Sequence, residues 1–293
     1  MSKCLVTGHK GYIGSKLFKK LKELGHEVIG LDYKEGKSKD ITVALSEASD
    51  GLFHPAYSSC FKPEYIFHLA CIPRVAYSVE NPVSTMENNV LSTSVLLNYA
   101  RKINAKRVIY SGSSSVVGNG NGPSSPYGLQ KLISEMECRL YSELYGLDTV
   151  TLRYFNVYSK DQKAEGPYAT AISNWMKFIR EGKVPFITGD GEQRRDMAHV
   201  DDVVSANIFA MNHQEDFKGK NFDVGTGSNI SLNEVKEIVL KYHNIDFNYV
   251  LERKGDVLLT KANIQPLNKL GWYPSVNLTD GINSCFNFKV EKK

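Results

Sequence analysis

The chain has 293 residues, 42% of them apolar and 23% charged, with a formal net charge of +4. That length buries a sizeable core and suits one large domain or two closely joined ones. The small, dispersed charge excludes the dense basic surface of a nucleic-acid binder and gives no reason to expect a membrane partner. The cysteines Cys4, Cys60, Cys71, Cys138 and Cys285 are odd in number and lack paired metal-ligand spacing, so no metal and a reducing, cytoplasmic compartment are expected. No signal-peptide pattern precedes Cys4-Leu5-Val6-Thr7, and no apolar run has the length of a membrane span, so the protein is expected to be soluble.

In chain order, the pattern predicts a strand at Leu5-Val6 and a helix over Lys10–Leu24. That helix turns Leu17, Phe18, Leu21 and Leu24 inward and exposes Lys16, Lys19, Lys20 and Lys22. Strands follow at Glu27–Leu31 and Tyr65–Ala70, a long helix at Val83–Lys102, a strand at Arg107–Tyr110, a helix at Tyr127–Tyr145 and a strand at Thr149–Tyr154. Strands alternating with helices, and continuous apolar runs such as Val108-Ile109, predict an α/β fold with a doubly wound parallel sheet of Rossmann type. The second half predicts helices at Tyr168–Glu181, Val200–Asn212 and Leu232–Tyr242, the last opened by Ser231 as N-cap with Glu234 three residues on. The expected division is a dinucleotide-binding domain over 1–158, receiving segments from about 190–227, and a smaller α/β lobe from 159–189 and 228–293.

Gly8-His9-Lys10-Gly11-Tyr12-Ile13-Gly14 joins the first strand to the first helix. Glycines there permit positive φ and close approach of the backbone to a pyrophosphate, and the helix N-terminus supplies N–H donors. Asp32 ends the second strand at the spacing of an acid that accepts hydrogen bonds from the adenosine ribose. Its charge disfavours a 2′-phosphate, so NAD is expected over NADP, a preference that Lys34 moderates.

Tyr127 and Lys131 are four residues apart and share a helix face. A cation beside a phenol favours the phenolate, and an oxidised nicotinamide favours it further, so Tyr127 is expected to exchange protons near neutrality. A solvated Tyr/Lys face has the same spacing. The glycine turn, Asp32 and the serine cluster from Ser111 to Ser115 set this pair apart from it.

Taken together, these motifs resemble the extended short-chain dehydrogenase/reductase family, in its nucleotide-sugar epimerase branch typified by UDP-galactose 4-epimerase. The similarity continues through Asp40-Ile41, His68-Leu69-Ala70, Asn88-Asn89-Val90, Arg153 to Tyr158, Gly189 to Asp196, Val200-Asp201-Asp202, Arg253 to Asp256 and Leu270-Gly271-Trp272. The resemblance implies that Gly8, Gly11, Tyr12, Ile13, Gly14, Asp32, Asp40, Ile41, Leu69, Ala70, Asn88, Ser111 and Phe155 surround NAD, along with Tyr127 and Lys131. It implies that Asn156, Arg195 and Arg253 hold the diphosphate of a nucleotide sugar. Guanidinium groups suit that task, although each arginine could instead pair with Asp196 or Asp256 at the surface. Ser113 takes the catalytic serine position, while His68 and His199 are expected to be structural.

The implied reaction is 4-epimerisation of a UDP-hexose or UDP-N-acetylhexosamine through a 4-keto intermediate. Ser114 and Ser115 stand where dehydratases of the family carry acids, which disfavours elimination of water and, with it, sugar-uronate decarboxylation. A 4-keto reductase and a non-catalytic nucleotide sensor remain open. Thr260 falls where relatives limit the room around carbon 2 of the hexose, and its small size suggests that an N-acetyl group fits. A homodimer through the two long helices is expected, with Leu91, Val95, Met136 and Leu140 serving either that interface or the core. Val117 and Ser159 depart from the family pattern, and the loops at 32–40 and 117–125 are short.

Overall fold

The computed structural model describes residues 1–32, 62–73, 75–118, 120–164, 170–252 and 257–289. Asp40, Ile41, Arg253 and Lys34 lie outside the described residues, as do the first two residues of the helix expected from Tyr168. The chain opens with β1 (Lys3–Thr7), α1 (Tyr12–Glu23), β2 (Glu27–Leu31) and β3 (Tyr65–His68). Next come α2 (Val75–Glu80), α3 (Pro82–Met86), a π-helical turn (Glu87–Leu91), α4 (Ser92–Lys102), β4 (Arg107–Ser113), a 3-10 turn (Ser114–Val116), α5 (Pro126–Tyr145) and β5 (Thr149–Tyr154). The remainder supplies α6 (Ala171–Arg180), β6 (Phe186–Thr188), β7 (Arg194–Arg195), α7 (Val200–Asn212), β8 (Asn221–Val224), β9 (Ile230–Ser231), α8 (Leu232–Leu240), β10 (Asn248–Val250), α9 (Gln265–Lys269) and α10 (Leu278–Phe286).

A six-stranded sheet has the order β2-β1-β3-β4-β5-β8. β1 pairs in parallel with β2 on one side, through Leu5 opposite Ile29, and with β3 on the other, through Leu5 opposite Ile66. The order therefore reverses between β1 and β3, and a doubly wound sheet opens its ligand crevice beyond the strand ends at such a point. Thr7-Gly8 and His68-Leu69-Ala70 are the residues that leave those two strands.

The described residues pack as two compact units. The first comprises Met1–Val117, Pro123–Arg153 and Val204–Phe222, around a core that includes Leu5, Ile66, Leu96, Val108, Tyr110 and Cys138. The second comprises Gly118–Gly122, Tyr154–Val203 and Asp223–Lys293, around Trp175, Met176, Ile187, Val235, Ile282 and Phe286. In the first unit, Leu17 and Leu21 of α1 are fully buried as their spacing requires, whereas Leu24 ends up exposed because the helix stops at Glu23. The helix expected over Val83–Lys102 is interrupted by the π-helical turn. There Asn89 is buried, accepting from Ile72 N at 2.7 Å and donating to Gln130 Oε1 at 2.8 Å. Gln130 in turn donates to Thr85 Oγ1 at 2.9 Å, so a buried polar belt sets α3, the π turn and α5 in register.

A buried ion pair fixes the far end of the same unit. Arg107, on β4, meets Asp148 at 2.5 Å and donates to the carbonyls of Ala210 and His213 at the C-terminus of α7 and to that of Glu215. A guanidinium suits that negative helix end, and Asp148 also accepts the N–H groups of Phe217 and Lys218. Removing one member of a buried pair strands the other charge. Asp148→Ala should therefore lower the unfolding free energy in urea by about 3–5 kcal/mol. Glu23→Ala, which breaks the exposed pairs with Lys19 and Lys20, should change it by less than about 1 kcal/mol.

Candidate functional site

Gly8 leaves β1 at φ +72°, its N–H donating to Leu31 O at 2.8 Å, and Gly11 N returns to Gly8 O at 3.0 Å. A Cβ on Gly8 would lie 2.8 Å from Ala70 N and 2.9 Å from Leu69 C, and one on Gly14 would lie 2.1 Å from Gly8 O. The turn thus packs directly against the segment after β3, bringing Leu69 and Ala70 to it. Tyr12 and Ile13 are partly buried in the first turn of α1, whose N-cap Gly11 provides no side-chain cap. Asp32 stands beside them, accepting Lys10 N at 2.7 Å. Crowded glycines, an uncapped helix start and a carboxylate at the end of β2 fit NAD. The turn and helix N–H groups would hold the pyrophosphate, and Asp32 would accept from the adenosine ribose.

The phenol and ammonium come together through the start of α5. Pro126 occupies the first helical position, Ser125 accepts Gly128 N at 3.1 Å, and Ser78 accepts Tyr127 N at 3.0 Å, so the first turn is held by its own cap and by α2. One turn on, Lys131 is 3% exposed. Its Nζ donates to Ser111 O at 2.8 Å and lies 4.8 Å from the centre of the Tyr110 ring. Tyr127 is 8% exposed, and the Ser113 hydroxyl donates to Ser115 Oγ at 3.1 Å.

The protein surroundings alone work against the ionisation expected of Tyr127 beside Lys131 and an oxidised nicotinamide. Burial pushes its phenol up to about 12, outweighing the pull of the Lys131 charge and the Ser113 hydrogen bond in the opposite direction. The protein's own groups therefore keep Tyr127 protonated at neutral pH. His68 is fully enclosed, with Nδ1 2.7 Å from Thr7 Oγ1 and Nε2 3.1 Å from Thr93 Oγ1. Burial, followed by the Lys131 charge, lowers its pKa to about 3. It is a neutral strut between β1, β3 and α4. Asn88 lies in the π-helical turn with its amide on Ser84 O at 2.8 Å.

In the second unit, Phe155 is buried and Asn156 has φ +33°, a conformation uncommon for a non-glycine residue. Asn156 Nδ2 donates to Asp196 O at 2.7 Å and to Thr260 Oγ1 at 3.3 Å, and Thr260 Oγ1 also accepts Asp196 N at 3.1 Å. Arg195, partly buried on β7, donates to Arg194 O at 3.0 Å. Asp196 is not the surface partner that its position beside Arg195 suggested. It is completely buried, accepting Thr226 N, Thr226 Oγ1, Gly227 N and Ala262 N at 2.8–3.0 Å. Burial pushes its pKa upward while those bonds act against the shift. Sequence reasoning missed this anchor, which ties the Asn156–Thr260 pair to the loop around Gly227. His199 is 3.5 Å from Asp201, its ring edge-on to Tyr158. Among the described residues, no group of three or more His, Cys, Asp or Glu side chains could hold a metal, and no helix is long and apolar enough to cross a membrane.

Residues 4–225 match the profile of the NAD dependent epimerase/dehydratase family. A putative UDP-glucose 4-epimerase of Methanocaldococcus jannaschii is 34% identical over 303 residues, covering 97% of both chains. Among solved structures, UDP-N-acetylglucosamine 4-epimerase from Methanobrevibacter ruminantium, in complex with UDP-N-acetylmuramic acid, superposes with a TM-score of 0.86 at 28% identity. UDP-glucose 4-epimerase from Thermotoga maritima, with UDP-glucose, does so with 0.85 at 31% identity, and both alignments cover 97% of each chain. With the glycine turn, Asp32 and the Tyr127–Lys131 pair in place, the chain belongs to the NAD-dependent epimerase/dehydratase family.

Proposed function

We propose that this protein is an NAD-dependent 4-epimerase of a nucleotide-diphosphate sugar, a UDP-hexose or UDP-N-acetylhexosamine. The observation that carries the reading is the buried cluster of Ser113, Tyr127 and Lys131 with no acid at the two positions after Ser113. The first unit is assigned to the cofactor, held by Gly8, Gly11, Tyr12, Ile13, Gly14, Asp32, Leu69, Ala70, Asn88 and Ser111. Asp40, Ile41 and Phe155 complete that set. Asn156, Arg195, Arg253 and Thr260 are assigned to the sugar nucleotide.

Bound NAD supplies the hydride acceptor and donor for carbon 4. Tyr127 Oη, as the phenolate that the positive charge of oxidised NAD would favour, takes the proton of the carbon-4 hydroxyl and returns it after the sugar has turned. Ser113 Oγ can accept and donate at once and so orient that hydroxyl. Lys131 stabilises the phenolate while its other bonds keep the ammonium in place. Release of water needs an acid near the sugar, and Ser114 and Ser115 provide none. Glu135, on the same helix, has one oxygen 2.9 Å from Arg153 Nε and the other 2.5 Å from Nη2. Epimerisation is accordingly favoured over dehydration and decarboxylation. A reductase would use the same three residues but require added reduced cofactor, and a sensor would bind NAD without turnover.

The untreated protein should interconvert carbon-4 epimers of a UDP-sugar without added cofactor, followed by chromatography of a panel that includes UDP-glucose and UDP-N-acetylglucosamine. Tyr127→Phe should reduce that rate by at least about a hundredfold, the usual scale of general acid–base catalysis, while NAD stays bound. Near-normal epimerisation in the variant, or a product lighter by one water, would sink the reading. Strong rejection of the acetylated sugar would remove only the role given to Thr260.

The assignment extends to a homodimer. Leu91, Met136, Leu140 and Leu144 are 49%, 53%, 47% and 63% exposed, an apolar stripe that the core leaves uncovered, whereas Val95 is partly buried against the core. Light scattering should give twice the chain mass for the parent protein and a single chain mass for Leu140→Asp. A parent protein that runs as a monomer would rule the dimer out.

A further inference from the structure

His9 lies inside the glycine turn, at a place where nothing in the turn itself calls for an imidazole. Its ring is seated over β2 at Gly30. A Cβ on that glycine would come within 2.3 Å of His9 Cγ and 2.6 Å of Nδ1. The far side of the ring meets Phe18, with centroids 5.3 Å apart and planes inclined at 43°. Gly30 and Asp32 are two residues apart, so they address the same side of the strand. The imidazole is thereby delivered to the acid, its Nδ1 3.9 Å from Asp32 Oδ2.

That nitrogen is buried and has no hydrogen-bond partner among the described residues. An unsatisfied buried polar atom is uncommon and needs a physical reason. The gap to Asp32 is too long for a direct hydrogen bond, and a hydroxyl lying beside both groups could reach each. The site already fits the adenosine end of NAD, whose ribose carries two adjacent hydroxyls.

We propose that His9 is a second protein ligand of the adenosine ribose, its Nδ1 bonding the hydroxyl that Asp32 does not take, with Gly30 left bare so that the ring can lie there. The proposal rests on the assignment of the glycine turn and Asp32 to NAD. It makes the ribose site of this chain a paired reader of two hydroxyls instead of a single acid.

The test is calorimetric titration of cofactor-depleted protein with NAD and with the NAD analogue lacking both hydroxyls of the adenosine ribose. His9→Phe keeps a ring against Gly30 and Phe18 but removes the nitrogen, and it should bind NAD about tenfold more weakly, the loss of roughly one buried hydrogen bond. The same variant should match the parent protein on the dideoxy analogue. Gly30→Ala, which pushes a methyl group into the ring, should weaken NAD binding in the same direction. Parent-like NAD affinity in His9→Phe, or an equal loss on both ligands, would overturn the proposal. Asp32→Asn separates the two levels. If it leaves NAD affinity unchanged, the ribose assignment itself fails; if it weakens NAD while His9→Phe does not, only the role of His9 fails.

Discussion

A lysine ammonium with 3% of its surface exposed is costly to bury, and the first unit is arranged around meeting that cost. Lys131 Nζ has the Ser111 carbonyl at 2.8 Å and the face of Tyr110 at 4.8 Å, both supplied by β4. For β4 to present them, α5 must begin at a fixed place and run at a fixed height along the sheet. The Ser125 cap and Ser78 determine where it begins, and the belt of Thr85, Asn89 and Gln130 determines its height. The same charge helps to keep His68 neutral, which lets that ring join Thr7 to Thr93 under the glycine turn. The glycine turn and the Tyr127–Lys131 pair are in this way mechanically one assembly.

Burial has a chemical consequence that spacing alone does not reveal. Tyr127 and Lys131 one turn apart suggest a ready-made base, yet the enclosure that brings them together raises the phenol further than the lysine lowers it. The protein by itself holds a protonated tyrosine. In the proposed reaction the additional positive charge of oxidised NAD would complete the electrostatics, coupling proton transfer to cofactor occupancy.

Much of this was legible in the amino-acid order because local pattern and tertiary demand agree. β2 and β5 appear with their expected limits, and Ser231 and Glu234 form the expected capping box. The departures have tertiary causes. The π-helical turn exists because Asn89 bonds to Ile72 and Gln130, partners far away in sequence. α2 lies between prolines with no apolar period to announce it, and β7 and β9 have two residues each, too few for a strand rhythm. Asp196 looked like a partner for an arginine and became an anchor for backbone N–H groups donated by residues 30 to 66 positions later. His9 carried no signal, because its meaning depends on a missing side chain at Gly30.

The central claim is that the buried phenol is held protonated by the protein and released by the charge of the cofactor. The difference in tyrosinate absorbance between the parent protein and Tyr127→Phe, recorded against pH with and without bound NAD, tests it most directly. The account predicts no Tyr127 ionisation below about pH 10 in cofactor-free protein, and a downward shift once oxidised NAD is bound. A tyrosinate step near neutrality without cofactor, or no movement on loading, would contradict it.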